Sequence, residues 1–173
     1  MSYLLSQIFV ILAIIILAIT YFLKDKTKIL ILCLIYCIFY GVHYLLLGAI
    51  TGAMMNLVSL IRNYWFFRNS KNNKKNSKLV LIILLLISII FGIITYKDMF
   101  SIISIIASLI STYSIWQDDV KLYKILAIPV SICFTVYAIH INSLVAIITE
   151  LFLLITEVIA IIKLYLNKLK INS

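Results

Sequence analysis

Long apolar runs alternate with short polar segments along the whole chain. Each run is close to the ~20 residues that an α-helix needs to cross about 30 Å of lipid hydrocarbon. A membrane β-barrel would instead show segments of about 10 residues with alternating polarity. The pattern therefore predicts an all-α membrane protein with seven transmembrane helices. The predicted spans are Tyr3–Leu23, Ile29–Leu47, Ala49–Phe67, Leu79–Tyr96, Phe100–Trp116, Leu122–Ile139 and Ser143–Ile162.

The composition is that of a chain embedded in lipid. Hydrophobic residues make up 65% of the 173 residues and charged residues 12%, whereas soluble domains are about 45–50% apolar and about 25% charged. The first span lacks the basic start and the cleavage site of a signal peptide, so we expect it to be retained. There is no nucleophile with an evident base and no Gly-rich phosphate loop, so we expect no enzymatic activity and no cofactor.

The basic residues lie mainly in alternate loops between the spans, and the net charge is +9. With the N-terminus outside, thirteen of them fall in the cytoplasm and only Lys97 falls in an outer loop, as the positive-inside rule requires. We therefore predict an outer N-terminus and a cytoplasmic C-terminus. Charges spread over loops argue against nucleic-acid binding and favour contact with anionic lipids. The thirteen are Lys24, Lys26, Lys28, Arg68, Lys71, Lys74, Lys75, Lys78, Lys121, Lys124, Lys163, Lys168 and Lys170.

Three cysteines, Cys33, Cys37 and Cys133, lie within the spans. Their odd number and apolar surroundings argue against a disulfide framework. Cys33 and Cys37 share a helix face, but the sequence places no His or carboxylate beside them. We therefore favour packing over a metal site.

The spans group as three, one and three, because a polar run and the fourth span separate two similar triplets. The predicted domains are a first triple-helix bundle (1–68), a basic loop with a linker helix (69–98), and a second triple-helix bundle with a short basic tail (99–173). Two three-helix units joined by one helix have the same orientation in the membrane. They can be related by an axis along the membrane normal, as in SWEET transporters.

Local sequence similarity supports this internal repeat. Lys28-Ile29-Leu30 in the second span matches Lys124-Ile125-Leu126 in the sixth, an offset of 96 that also aligns Cys37 with Cys133. On the third and seventh spans the best offset is 94, which predicts a hairpin two residues shorter in the second unit. The polar residues aligned on those spans are Asn56 with Glu150 and Asn63 with Glu157.

Two stretches resemble the signatures of a known family. The first runs from His43 to Ala53 (HYLLLGAITGA) and continues to Ile61-Arg62-Asn63; the second is Ser111–Gln117 (STYSIWQ), followed by Ile148-Thr149-Glu150. Over roughly residues 21–166 the chain resembles the YgjV family of bacterial inner-membrane proteins. The resemblance implies a bacterial inner (plasma) membrane location and a SWEET-like or PQ-loop-like architecture, without supplying a substrate.

One departure from that family concerns the end of the sixth span. Relatives tend to carry a Trp and an Asn there, where this chain has Phe134 and Ala138. The difference argues against a polar ligand from that position.

Ionisable residues inside spans are costly to insert and usually face the interior of a helix bundle. This chain has three, Arg62, Glu150 and Glu157. Asn56 lies about 10 Å along the third span and Glu150 lies at similar depth on the seventh, so both are near the membrane midplane. We predict that Glu150 and Asn56 bind a substrate. The alternative is that a protonated Glu150 only joins helices through hydrogen bonds.

Arg62 and Glu157 reach comparable depth on the third and seventh spans. We predict an Arg62–Glu157 pair, with Asn63 beside it, that acts either as a gate or as a brace between the bundles. The alternative is that Arg62 extends to the lipid headgroups and Glu157 contacts water.

Two groups of polar aromatic residues are predicted near the outer surface. His43 and Tyr44 end the second span, and Tyr137 and His140 end the sixth. They are candidates to line an entrance, the alternative being interfacial anchors.

Two stripes of small residues accompany these groups. Gly48 and Gly52 are typical of close helix packing. Ser104, Ser108 and Ser111 form a small polar stripe on the fifth span, which would line either a polar passage or a packing surface.

The function predicted from these features is that of a small-molecule transporter working by alternating access between the two bundles. The alternative is a non-transporting scaffold or regulatory protein. A water-accessible cavity that touches Glu150 and Asn56 would favour the transporter, and dry packing there would favour the scaffold. The predicted partners are the lipid bilayer and an unidentified small molecule, and a homo-oligomer is left open.

Overall fold

The computed structural model describes the backbone of residues 2–172 and the side chains of residues 3–166. The side chains of Lys168 and Lys170, two of the predicted cytoplasmic charges, lie outside the described part. All regular structure in residues 2–172 is helical. The helices are α1 (Ser2–Thr20), α2 (Lys26–Leu46), α3 (Ile50–Lys71), α4 (Lys78–Ile94), α5 (Met99–Trp116), α6 (Val120–His140) and α7 (Leu144–Asn172). Each predicted span coincides with one helix.

Five helices, α1, α2, α5, α6 and α7, are long and apolar enough to cross a membrane. Helix α4 is also apolar, but its 17 residues are at the lower limit of length for a membrane span. Helix α3 is more polar because it carries Asn56, Arg62 and Asn63, which are buried inside the bundle, and because it ends in the polar run 68–71. Large apolar side chains such as Ile82, Leu86 and Ile90 of α4 point outwards, as expected for a surface that contacts lipid.

Acidic residues begin three of the helices. Asp25, Asp98 and Asp119 accept hydrogen bonds from backbone N–H groups in the first turns of α2, α5 and α6. Such caps satisfy amide groups that the helix leaves unpaired and oppose the helix dipole. The chain has six acidic residues. Three of them are these caps, and a fourth, Asp118, pairs with Lys26 in a loop. The remaining two, Glu150 and Glu157, lie within α7.

Six helices form a closed ring in the order α1, α2, α3, α5, α6, α7, with α7 packed back against α1. Helix α4 lies outside this ring, against α3 and α5. We call the end with loops 21–25, 72–77 and 117–119 the basic end. The end with loops 47–49, 95–98 and 141–143 is the opposite end.

The α2–α3 and α6–α7 hairpins have a first helix of the same length and the same turn. Both α2 and α6 contain 21 residues, and both turns place a residue in the left-handed region, Gly48 with φ 66° and Asn142 with φ 53°. The backbone N–H of the next residue then donates to a carbonyl oxygen of the preceding helix. The Ala49 amide donates to the Tyr44 oxygen at 3.0 Å, and the Ser143 amide donates to the Ala138 oxygen at 3.1 Å. This is a common way to end a helix, and Gly and Asn tolerate it best.

This equality corrects the predicted offset of 96 and the shorter second hairpin. From Asp25 and Asp119 to the starts of α3 and α7, the N-caps, the limits of α2 and α6 and the turn bonds correspond at an offset of 94. The Lys-Ile-Leu match was misleading because one apolar residue readily replaces another in a membrane helix: Ile29 is buried, whereas its match Ile125 is exposed. Turn and cap residues are constrained by backbone geometry and therefore define the correspondence better.

Candidate functional site

A cavity lies inside the ring and is lined by residues of the α1 region and of α2, α3, α5, α6 and α7. It contains about 70 Å³ of space that the centre of a water molecule can reach. One water needs roughly 10–15 Å³ of such space, so the cavity has room for several. Its wall combines apolar and aromatic side chains with hydroxyl, amide and charged groups. It can therefore hold water or a small polar solute.

Glu150 and Asn56, the predicted substrate-binding residues, both line this cavity. Glu150 is 1% exposed, and its Oε1 accepts a hydrogen bond of 2.5 Å from the hydroxyl of Tyr40. Asn56 donates from Nδ2 to the backbone oxygen of Cys37, also at 2.5 Å. A Cβ at Gly41 would lie 3.0 Å from that Nδ2 atom. The glycine thus leaves room for the Asn56 amide between α2 and α3.

Arg62 and Asn63 line the same cavity, nearer the basic end. Arg62 is 2% exposed and donates from Nη1 to the Thr112 hydroxyl of α5 at 2.9 Å and from Nε to Asn63 Oδ1 at 3.1 Å. The Nδ2 atom of Asn63 donates to the Cys37 sulfur at 3.4 Å. Because Arg62 is directed inwards, the alternative in which it extends to the headgroups does not describe this structure.

The predicted Arg62–Glu157 pair is not formed in this structure. Glu157 is fully buried, and its Oε1 accepts a 2.6 Å hydrogen bond from the Ser131 hydroxyl of α6. Its Oε2 has no partner among the described residues. Equal depth had suggested the pair, but Arg62 points to α5 and Glu157 to α6, which are different neighbours in the ring.

The predicted entrance residues, near the opposite end, are largely buried. His43 is fully buried, with Nδ1 3.0 Å from the Ser6 backbone oxygen. The rings of Tyr44 and Tyr137 meet edge to face at 5.8 Å, and the Tyr137 hydroxyl accepts from the Gly52 amide at 3.2 Å. Of the four, Tyr44 lines the cavity. His140 pairs with Asp98 at 2.8 Å at the surface.

A different set of groups makes contacts across the basic end. Lys26 at the start of α2 contacts the Asp118 carboxylate at 2.5 Å and the Gln117 backbone oxygen at 2.8 Å. The Asn76 amide donates to the Trp116 backbone oxygen at 2.9 Å. Polar contacts therefore join the loops at this end, whereas aromatic packing dominates at the opposite end.

Sequence reasoning missed Tyr40 and Ser131, the hydroxyl donors to the two buried carboxyl groups. A signal for Tyr40 was present, because Tyr36, Tyr40 and Tyr44 recur every four residues and therefore share one face of α2. Ser131 had no comparable signal, since a single serine in an apolar helix has many roles. Phe134, the site of the departure from relatives, lines the cavity.

Comparison with known proteins identifies the family. No curated protein and no solved structure matches the chain, so the expected likeness to SWEET and PQ-loop transporters stays a prediction. The Imp-YgjV model, described as bacterial inner membrane protein, matches residues 4–168. That match covers nearly the whole chain and agrees with five helices apolar enough to span a membrane. The chain therefore belongs to the Imp-YgjV family of bacterial inner membrane proteins.

Proposed function

We propose that the protein is a small-molecule carrier whose binding site is the cavity inside the helix ring. The observation that supports this most is the contact of both Glu150 and Asn56 with space for several waters. A scaffold gains nothing from such space, because burying polar groups beside a void loses packing contacts. A carrier needs it, since the solute replaces the water.

The ring also offers a route to alternating access. The helices α1–α3 and α5–α7 form two triplets that meet where α3 packs on α5 and where α7 packs on α1. Their hairpins have first helices of equal length and the same turn, which supports a 3+1+3 arrangement with α4 as the linker. Rocking of one triplet against the other would open one end while the other stays closed.

The contacts at the two ends suit such a motion. The Lys26–Asp118 pair is at the surface, with the Asp118 side chain 66% exposed. Surface ion pairs contribute only about 0–1 kcal/mol, so water can replace this one at low cost. At the opposite end, Tyr44 and Tyr137 can separate once the Gly52 contact is released.

The loop charges support an orientation with the basic end in the cytoplasm. Two single-cysteine variants test it, Lys75→Cys at the basic end and Lys97→Cys at the opposite end, with the native cysteines replaced. A membrane-impermeant thiol reagent added to intact cells should label Lys97→Cys and spare Lys75→Cys. Labelling of Lys75→Cys in intact cells would show that the basic end lies outside and that the proposed orientation is wrong.

Solute flux into proteoliposomes tests the carrier function itself. We expect saturable uptake for at least one solute class in a panel of small anions, cations and neutral polyols. Glu150→Gln should change the rate or abolish its pH dependence, because Gln keeps the shape and loses ionisation. Glu157→Gln is the matched control, since that carboxyl group is buried outside the cavity lining.

The scaffold alternative makes the opposite prediction. It expects no flux above that of protein-free vesicles for any solute class. It also expects the cavity thiol of Cys37 to resist small thiol reagents in the folded protein. That combination would refute the carrier.

A further inference from the structure

Arg62 is a buried cation without a buried anion beside it. Among residues 3–166, the ion pairs within 4.0 Å are Lys26–Asp118 and His140–Asp98. Arg62 is hydrogen-bonded instead to two neutral side chains, Thr112 and Asn63. A charge removed from water needs compensation, and a guanidinium has more N–H donors than these two bonds use. The remaining donors are available to a ligand in the cavity that Arg62 lines.

A second polar group without a protein partner lines the same cavity. Ser108 of α5 is 2% exposed, and its hydroxyl has no hydrogen-bond partner among the described residues. It lies one helical turn before Thr112, the residue that holds Arg62. A buried hydroxyl without a partner is costly unless water or a ligand supplies one. Cation and free hydroxyl thus come from adjacent helices, α3 and α5, on one wall of the cavity.

The charges of the cavity restrict the ligand. Arg62 is its only Lys or Arg among the described lining residues, and the one carboxyl group there, Glu150, adds no negative charge in its protonated form, which can still accept the hydrogen bond from Tyr40. One cation compensates one negative charge, whereas a dianion such as hydrogen phosphate would retain an uncompensated charge in a site of low dielectric constant. The space of about 70 Å³ suits a molecule of a few heavy atoms.

We propose that the cavity binds a small monocarboxylate, with the carboxylate on Arg62 and Ser108. Arginine matches a carboxylate because its planar fork donates two parallel hydrogen bonds. The apolar part of the ligand lies against the aromatic wall, and a hydroxyl on it would reach towards Glu150 and Asn56. This inference rests on the proposed carrier function and names its substrate class.

Binding to the full-length protein in detergent micelles tests the inference. The probes are sodium acetate and sodium lactate, with acetamide and lactamide as neutral molecules of the same shape, at constant ionic strength set with sodium chloride. We expect both carboxylates to raise the thermal unfolding midpoint and both amides to leave it unchanged. Isothermal titration then supplies the affinities.

Variants locate the site. Arg62→Gln should weaken carboxylate binding by about tenfold or more, the effect of losing a charged hydrogen bond. Arg68→Gln is the matched control: it removes the same charge from the same helix at an exposed position and should bind like the unmodified protein. Ser108→Ala should weaken binding by roughly two- to tenfold. Arg62→Lys keeps the positive charge but loses the planar guanidinium group, so we expect it to bind carboxylates with intermediate affinity. This variant tests the site even where Arg62→Gln folds poorly.

Several outcomes would overturn the inference. Equal binding of amides and carboxylates, or unchanged binding in both Arg62→Gln and Arg62→Lys, would show that Arg62 does not recognise the anion. Binding of a polyol or an amine that depends on Glu150, without carboxylate binding, would reject the monocarboxylate and keep the carrier. Binding of no solute class, together with no flux, would reject both.

Discussion

Helices α3 and α7 have similar beginnings and opposite chemistry. Each follows a hairpin turn of the same geometry, and their polar residues correspond at an offset of 94, Asn56 with Glu150 and Asn63 with Glu157. Yet the buried polar side chains of α3 include two amides and one cation, Arg62, whereas those of α7 include two carboxyl groups. The backbone of the hairpins is nearly duplicated while the groups that they present are not.

The two helices also differ in how their polar groups are satisfied. Each carboxyl group of α7 receives a hydroxyl from a neighbouring helix, Tyr40 for Glu150 and Ser131 for Glu157. Such a site accommodates a carboxyl group within the fold. Arg62 of α3 has neutral partners and faces space for a solute. Each carboxyl group of α7 thus has one oxygen bonded within the protein, whereas Arg62 of α3 keeps N–H donors that a ligand can use.

The largest expected effect concerns the cation of α3. Replacing Arg62 with Met should raise the free energy of unfolding by about 1–4 kcal/mol without ligand, because it removes a buried charge that no protein anion compensates. Equilibrium unfolding in mixed micelles measures this change. Arg68→Met, at an exposed site on the same helix, should change stability by no more than about 0.5 kcal/mol. A less stable Arg62→Met protein would show that Arg62 is a structural brace and would remove the contrast with α7.

The next effect concerns the internal satisfaction of α7. Tyr40→Phe leaves the Glu150 carboxyl group without its hydroxyl donor, and we expect a loss of about 1–3 kcal/mol in the free energy of unfolding. Tyr36→Phe removes a hydroxyl one turn earlier on α2, from a residue that lines the cavity without bonding Glu150. The same unfolding assay should give a smaller loss for it. Equal losses would mean that the Tyr40–Glu150 bond adds nothing specific.

The smallest effect concerns the similarity of the two turns. Gly48 adopts φ 66°, and a Cβ there would meet no heavy atom within 4 Å. Gly48→Ala should therefore cost only the backbone penalty of the left-handed region, about 1–2 kcal/mol. Gly48→Asn should cost less, because Asn142 occupies the same position in the other turn. Equal melting temperatures for the Ala and Asn variants would contradict the equivalence of the turns.

Much of the fold was predictable because it depends on local features of the chain. Apolar runs of membrane-spanning length predicted the seven helices, and residues such as Asp25, Asp98 and Asp119 begin helices near the predicted limits. The sharing of one cavity by Asn56 and Glu150 was also predictable. Depth along a helix follows directly from residue number, and both residues lie about 9 Å from the start of their helix.

Partners of the buried polar groups were decided only by the tertiary structure. Depth fixes the height of a side chain in the bundle, but its direction around the helix axis depends on how that helix packs. Arg62 and Glu157 match in height and yet face α5 and α6. The Tyr40–Glu150 bond joins residues 110 positions apart, and no local pattern encodes such a distance. The sequence by itself thus determined the helices and the position of each residue along them, and the packing of the ring determined which polar groups meet, because only packing sets the rotation of each helix.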